Sequence, residues 1–303
     1  MNSSDFLSRD CPMCGSTSRR VEMASRRPAE SLSRDELRPF WYTFGQEKIF
    51  FSYARCSSCR LLYTPNFFSN DELSDLYADM PANMDVVAPD AIDATQRGYF
   101  EAISASAPLE GDYLEIGPDV GHVAGHAARE GRFSKFWLFE PNKGVHGQLA
   151  ASTMGRPHYI STDMTDFSAV PDGSVGLAVM VHVLDHLVDP AELLTQVRSK
   201  LRPDAMVAIV THNEASALRY VMGRKWPPFC MQHPELYNPR SITKLLQATG
   251  FDRVEVRAAK NYFPISFMAR QAAGLAGLSL ARIPLPNTVV GLRLGNMLTL
   301  ARV

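Results

Sequence analysis

The sequence predicts an α/β fold, in which a mostly parallel sheet carries helices on both faces and a small cysteine-rich module precedes it. Two observations support this prediction. From Asp112 onward, short apolar segments alternate with helical segments, as in sheets built from strand–helix–strand units. Before that point, four of the five cysteines fall into two Cys-x-x-Cys pairs, a spacing typical of metal-binding turns.

Composition and charge narrow the class of protein. The chain has 303 residues, of which 46% are hydrophobic, and its 31 basic and 32 acidic side chains give a net charge of −1. Without a basic excess to neutralise phosphates, a nucleic-acid partner is not expected. The N-terminus lacks the features of a secretion signal, and no apolar run reaches the roughly 20 residues that span a bilayer. We therefore expect a cytoplasmic protein with no transmembrane segment.

Three regions are predicted along the chain. Residues 1–68 form the cysteine module, 69–105 a helical linker and 106–303 the α/β domain. Within the linker, one helix begins near Ser69 and a second spans about 94–105, separated by a connection over 81–92. The strands of the α/β domain are predicted at Tyr113–Ile116, Lys135–Phe139, His158–Ile160, Val175–Val181, Met206–Thr211, Val254–Ala258 and Met297–Arg302.

An insertion at 259–296 separates the last two predicted strands and includes a helical stretch over Met268–Leu280. Its small residues and few charges favour packing, so it is expected to form a cap over the active site or a surface of a homodimer. Contact with a membrane surface is the third alternative.

The four paired cysteines are predicted to bind zinc. Cys11, Cys14, Cys56 and Cys59 supply two thiolates from each of two tight turns, which together complete a tetrahedral four-sulfur site. Such a closed site has no position for a substrate, so its role is structural. An aromatic, β-prone segment at 49–55 leads into the second pair. The fifth cysteine, Cys230, is interpreted as a packing residue.

A nucleotide-binding turn is predicted where the α/β domain begins. The first strand runs into Gly117 and Gly121 and then a helix, which lets the backbone approach a ligand closely. Asp119 stands where a middle glycine is common, but aspartate tolerates left-handed backbone angles. Glu140 ends the second strand, where a carboxylate accepts hydrogen bonds from ribose hydroxyls. Asp163 ends the third, where it could accept one from an adenine amino group.

Taken together, these segments resemble the class I S-adenosylmethionine (SAM)-dependent methyltransferases, whose sheet is Rossmann-like. Residues 115–121, Glu-Ile-Gly-Pro-Asp-Val-Gly, are similar to the family's first motif, and residues 182–190 are similar to its segment after strand four. The resemblance implies SAM as the cofactor, with Glu115 near its methionine portion. The implied cofactor-binding residues are Glu115, Gly117, Pro118, Asp119, Gly121, Glu140, Pro141, Asp163, Met164 and His182.

Cysteine pairs ahead of such a domain also resemble the zinc-ribbon-like modules of bacterial methyltransferases. Several of those enzymes act on nucleotide sugars or natural-product intermediates. The resemblance therefore implies methyl transfer to an oxygen or carbon of a small-molecule acceptor. Two alternatives stay open: an RNA methyltransferase with a zinc module, and a non-catalytic protein that keeps the SAM fold.

Histidines are the candidate catalytic bases, because removing a proton from the acceptor suits a group with a near-neutral pKa. His182 and His186 follow the fourth strand, His212 follows the fifth, and His233 lies in a loop rich in tryptophan and proline. We rank His186 and His233 highest and His182 after them. Arg224 and Lys225, just before that loop, could meet a charged group on the acceptor.

Overall fold

The computed structural model describes residues 6–41, 48–78, 89–275, 278 and 283–303. The N-terminal part is built from short elements. In chain order these are β1 (Leu7–Ser8), β2 (Arg19–Met23), α1 (Arg34–Leu37), β3 (Tyr53–Cys56), β4 (Leu62–Tyr63), β5 (Asn66–Phe67), α2 (Asn70–Ala78) and α3 (Pro89–Ser104).

Longer strands and helices alternate through the rest of the chain. They are β6 (Glu110–Ile116), α4 (His122–Glu130), β7 (Arg132–Phe139), α5 (His146–Ser152), β8 (His158–Ser161), β9 (Val175–Val181), α6 (Pro190–Lys200), β10 (Leu201–His212), α7 (Ala217–Met222), β11 (Glu235–Leu236), α8 (Pro239–Ala248), β12 (Asp252–Ala258), β13 (Asn261–Pro264), α9 (Ile265–Leu275), β14 (Val289–Leu292) and β15 (Asn296–Arg302).

A seven-stranded sheet forms the centre of the molecule, in the order β12-β15-β10-β9-β6-β7-β8. Its strands pair in parallel except β15, which runs antiparallel to both of its neighbours. This confirms the predicted α/β fold with a mostly parallel sheet. All seven predicted strands are present, and the bounds of Val175–Val181 are as predicted.

Alternating side chains along the strands pack into two separate cores, one on each face of the sheet. In β7, Trp137 and Phe139 point into one core, whereas Phe136 and Leu138 point into the other. Each fully buried side chain of this size stabilises the fold by about 1.5–3 kcal/mol. Among the helices that the structure describes, none is both long and apolar enough to cross a membrane.

Three local predictions were wrong at their boundaries. The connection predicted over 81–92 ends earlier, because α3 begins at Pro89; proline suits a first helical turn, where its missing N–H needs no partner. The strand predicted over 49–55 is confined to Tyr53–Cys56. The helix predicted over Met268–Leu280 is Ile265–Leu275, and the rest of that prediction lies mainly outside the described residues.

The cysteine-rich part shares a sheet with the α/β part. Strand β11, from the connection between β10 and α8, pairs with β4 and completes a sheet in the order β11-β4-β3-β2. Glu235 lies opposite Tyr63, and Leu236 opposite Leu62. The N-terminal residues therefore lie against the connection that carries His233.

Candidate active site

The glycine loop between β6 and α4 is held in left-handed backbone conformations. Gly117, Asp119 and Gly121 have φ angles of +66°, +52° and +85°. A Cβ on Gly117 would lie 2.5 Å from Val183, and one on Gly121 would lie 2.3 Å from the Ser152 hydroxyl. Glycine is therefore required at both ends of the loop, and Asp119 adopts a left-handed conformation, which aspartate tolerates.

Glu140, at the end of β7, ties this loop to the next strand. It is 6% exposed, and its carboxylate accepts hydrogen bonds from the backbone N–H of Asp119 at 2.9 Å and of Asn142 at 2.8 Å. Burial raises the pKa of Glu140, while these two bonds oppose the rise. The predicted ribose-binding carboxylate thus lies directly beside the glycine loop.

Glu115 lies deeper than the other residues expected to bind the cofactor. It is 2% exposed and accepts a hydrogen bond from the Tyr113 hydroxyl at 2.7 Å. Burial raises the pKa of Glu115 to about 8, so the side chain is largely neutral at pH 7. Glu115 thus lies in the protein interior near the end of β6, two residues before Gly117.

Asp163 and Met164 follow β8 at the outer edge of the sheet. Asp163 is exposed, and its Oδ1 accepts from the backbone N–H of Thr165 at 2.8 Å and its hydroxyl at 2.7 Å. Met164 is half-buried against the core. The glycine loop, Glu140 and Asp163 therefore follow the carboxyl ends of three neighbouring strands, where open α/β sheets bind ligands. We call this edge the crevice; Pro118 is buried under it and Pro141 is half-exposed.

Next to the crevice, the ends of β9 and β10 bring two histidines and a buried aspartate together. His182 directly follows β9 with a φ of +54°. Asp185 lies in the turn after it, is fully buried, and its Oδ2 is 2.5 Å from Nδ1 of His212 at the end of β10. The rings of His182 and His212 are 4.5 Å apart.

Two more histidines extend this group, which we call the histidine cluster (His182, Asp185, His186, His212 and His233). Nε2 of His186 and Nε2 of His233 are 3.2 Å apart, and the rings of His212 and His233 are 4.9 Å apart. The Tyr77 hydroxyl lies 2.8 Å from Nδ1 of His186. Burial, with the neighbouring His233, lowers the pKa of His186 to about 3.

Cys230 belongs to the same region, although the sequence suggested only a packing role. Its sulfur lies 3.3 Å from Nδ1 of His233. Burial raises the pKa of Cys230, but the adjacent imidazole more than offsets this and the net shift is downward. Burial likewise lowers the pKa of His233, but the thiolate form of Cys230 raises it to about 9. The two groups can therefore share a proton as a thiolate–imidazolium pair.

The N-terminal part holds the connection that carries His233 and Cys230. The buried Tyr53 hydroxyl donates to the carbonyl of His233 at 2.7 Å. The Pro234 carbonyl accepts from the backbone N–H of Thr64 and from the Arg9 guanidinium, both at 2.9 Å. These bonds position the histidine ring from outside the α/β domain.

The four paired cysteines meet at one point. The sulfurs of Cys11 and Cys59 are 3.4 Å apart and those of Cys14 and Cys56 are 3.6 Å apart, and all four lie within 4.8 Å of one another. No disulfide joins them. A tetrahedral zinc site with bonds of about 2.3 Å places its sulfurs about 3.8 Å apart, so the arrangement is compatible with zinc.

The three histidines predicted as bases, His182, His186 and His233, lie in one cluster beside the crevice. Sequence reasoning ranked His212 below them and missed Asp185, although both stand at strand ends where ligand-binding residues were sought. Tyr77 could not be found in that way, because it is 109 residues from its partner His186. Arg224 and Lys225 form a short 3₁₀ turn before the loop, outside the cluster.

A sequence model of the family described as "Methyltransferase domain" matches residues 92–256. The chain belongs to this family. By domain and fold it is a SAM-dependent methyltransferase, with the crevice at the edge of the sheet where its cofactor-binding motif was predicted. A search of curated proteins gives no match.

A solved structure with a TM-score above 0.5 agrees with the fold. A chain in the complex of the Haloferax volcanii Trm112 methyltransferase activator with a methyltransferase is 12% identical, with a TM-score of 0.52 over 70% of this chain and 91% of that one. A SAM-dependent methyltransferase from Archaeoglobus fulgidus is 15% identical, with a TM-score of 0.49 over 71% of this chain and 95% of that one. At 12% identity, the first of these similarities describes the fold and not the acceptor.

Proposed function

We propose that the enzyme methylates an oxygen or carbon of a small-molecule acceptor bound at the histidine cluster. One observation carries this proposal. The crevice follows β6, β7 and β8, while the cluster follows the adjacent strands β9 and β10 along the same edge of the sheet. A cofactor in the crevice and an acceptor over the histidines would therefore be neighbours.

The crevice residues fit SAM, which supplies a methyl group on an electrophilic sulfonium. The close-packed loop of Gly117, Asp119 and Gly121 brings backbone near the ligand, and Glu140 offers carboxylate oxygens for the ribose hydroxyls. Asp163 and Met164 would flank the adenine. Glu115, Pro118 and Pro141 would shape the loop and its surroundings.

The histidine cluster would manage the acceptor proton. His186 would receive it at Nδ1, beside the Tyr77 hydroxyl at 2.8 Å, while its Nε2 hydrogen passes to Nε2 of His233, 3.2 Å away. For this transfer His233 starts as the neutral imidazole, with its hydrogen on Nδ1 towards the Pro228 carbonyl, and ends as the imidazolium beside the Cys230 sulfur. His182, the third predicted base, directly follows β9, the neighbour of β6 in the sheet.

Enclosure favours a small acceptor over RNA. His233 is 7% exposed, and its connection is held down by Tyr53 and Thr64 of the N-terminal part. The net charge of −1 adds no general attraction for a polyanion. A sugar or natural-product intermediate is the acceptor class that the sequence resemblance suggests.

Further assignments belong to this proposal. The cysteines would bind one structural zinc ion within a module of residues 1–68, joined by the 69–105 linker to a SAM-binding domain over 106–303. The 259–296 insertion, with β13, α9 and β14, would cap the acceptor or pack in a homodimer. A cytoplasmic location fits these features.

The proposal is tested by incubating the zinc-loaded enzyme with SAM and a panel of sugars and hydroxylated metabolites, and measuring S-adenosylhomocysteine. We expect acceptor-dependent release that falls at least roughly 100-fold in His186→Ala and His233→Ala, the usual contribution of a general base. His158→Ala, an exposed histidine of β8, is the matched control and should keep full activity. SAM binding with no turnover of any acceptor would favour the non-catalytic alternative.

A further inference from the structure

Two buried polar atoms of the histidine cluster lack partners. Nδ1 of His182 and Oδ1 of Asp185 make no hydrogen bond to any residue that the structure describes. Leaving such a group unsatisfied costs about 1–3 kcal/mol, and more when it is charged. Two of them in neighbouring residues at a ligand-binding edge indicate that a bound species completes this part of the site.

The hydrogen bonds around His182 indicate the chemistry of that species. Its Nε2 is 3.1 Å from the Asn296 side-chain amide, which also lies 3.2 Å from the Tyr99 hydroxyl. Asn261 already donates to that hydroxyl at 2.8 Å, so the hydroxyl hydrogen needs an acceptor. An Asn296 amide turned to present its oxygen supplies one, since amide oxygen and nitrogen are assigned by such networks.

In that arrangement His182 donates from Nε2 to the same amide oxygen, and its Nδ1 carries a lone pair. The two unpartnered atoms are then both electron-pair donors, one on an imidazole and one on a carboxylate. Two such atoms cannot hydrogen-bond to each other, so each stays unsatisfied unless a further species lies against it. A metal ion is a species that both atoms can bind.

We propose that His182, Asp185 and His212 bind a divalent transition-metal ion, at a site separate from the four cysteines. One ligand atom from each residue lies within 4.8 Å of the others. Two imidazoles and one carboxylate suit zinc, iron(II) or manganese(II). Nδ1 of His212 lies 2.5 Å from Oδ2 of Asp185, so an ion bound by both atoms would replace the hydrogen that they share.

Three protein ligands leave coordination positions open, as in catalytic metal sites. Two oxygens of the acceptor would fill two of them, which favours acceptors with a hydroxyl beside a second oxygen. This last step rests on the proposed function, whereas metal binding at the three residues does not. The ion also leaves His186 and His233 to handle the proton.

The test is a calorimetric titration with Mn²⁺ of the full chain, after its cysteine site has been filled with one equivalent of Zn²⁺. The wild type should bind one equivalent of Mn²⁺. Losing an outer-shell partner of a metal site already weakens binding by 10–100-fold, so His182→Ala and Asp185→Asn should weaken it by roughly 100-fold or more.

His122→Ala is the matched control, because His122 is a histidine on α4 outside the cluster, and it should bind Mn²⁺ like the wild type. Circular dichroism of the same samples establishes that each variant is folded, since His182 is itself a predicted cofactor-binding residue, and SAM is titrated into the wild type separately. Asp185→Asn preserves side-chain shape if His182→Ala does not fold. Absence of Mn²⁺ binding by the wild type, or equal binding by Asp185→Asn, would overturn the metal site. Loss of SAM binding by the wild type would instead count against the proposed function.

Discussion

Glu214 anchors a buried ionic network between the two parts of the molecule, and its removal gives a measurable stability change. The side chain is 2% exposed. It accepts from the Arg55 guanidinium at 2.6 and 2.9 Å and lies 3.2 Å from that of Arg219. Glu22 contacts both arginines from the other side. Glu214→Gln leaves two buried cations facing one carboxylate.

The size of the effect follows from that imbalance. Breaking a buried ion pair by removing one partner costs about 3–5 kcal/mol, because the other charge stays buried and uncompensated. Glu22 still compensates part of it, so we expect about 3 kcal/mol. Unfolding entropy of about 2.1 cal/mol/K per residue gives roughly 0.6 kcal/mol/K for a chain of this length, and therefore a fall in Tm of about 5 °C.

Thermal unfolding followed by circular dichroism measures this shift. Glu255→Gln is the matched control, since Glu255 pairs with Arg257 on the surface with 54% of its side chain exposed. Exposed pairs contribute only about 0–1 kcal/mol, so the control should move Tm by less than about 2 °C. Equal shifts for the two variants would refute the reasoning that Glu214 is held in a buried network.

Three further outcomes are expected. Gly121→Ala forces a Cβ to 2.3 Å from a neighbouring hydroxyl, whereas Gly155 shares a positive φ but has open space around it. Gly121→Ala should therefore weaken SAM binding at least about tenfold, by some 1.4 kcal/mol. Gly155→Ala, the control, should leave SAM binding unchanged. Hydrogen bonds from arginine hold the pKa of Glu22 at about 2, below its usual 4.5. The ionised Glu22 therefore stabilises the fold above pH 4.5, and this stabilisation is lost as the pH falls towards 2. In Glu22→Gln the free energy of unfolding should therefore depend less on pH between 4.5 and 2. Cys14→Ser should lose the zinc equivalent that Cys230→Ser retains, measured by elemental analysis; equal zinc in both would contradict the four-cysteine site.

The sheet was predictable because its signal is local. Apolar runs such as Val175–Val181 are bounded by turn residues, and both faces of a parallel sheet are buried, so the hydrophobic pattern marks each strand. Helix boundaries were harder to predict. Helix α3 begins at Pro89, and a proline is equally compatible with a connection between helices. The pairing of β11 with β4 left no local sign, because each strand has only two residues.

In the candidate site, too, some residues could be predicted from local sequence and others could not. Glycines at 117 and 121 and the acid at 140 are set by the strand–turn–helix motif, so spacing alone located them. The histidine cluster depends on contacts over long separations, such as Tyr77 with His186 and Tyr53 with the His233 carbonyl. Residue spacing carries no information about such contacts, so the role of Cys230 was also missed.

Calorimetric titration of the zinc-loaded protein with SAM, alongside Glu140→Ala, tests the central claim most directly. We expect saturable binding that weakens at least about tenfold in the variant, by some 1.4 kcal/mol, because Glu140, the proposed ribose-binding residue, also holds the Asp119 amide. Glu130→Ala, at the far end of α4, should bind SAM like the wild type. Absence of binding by folded wild-type protein, or equal affinity in Glu140→Ala, would contradict the account.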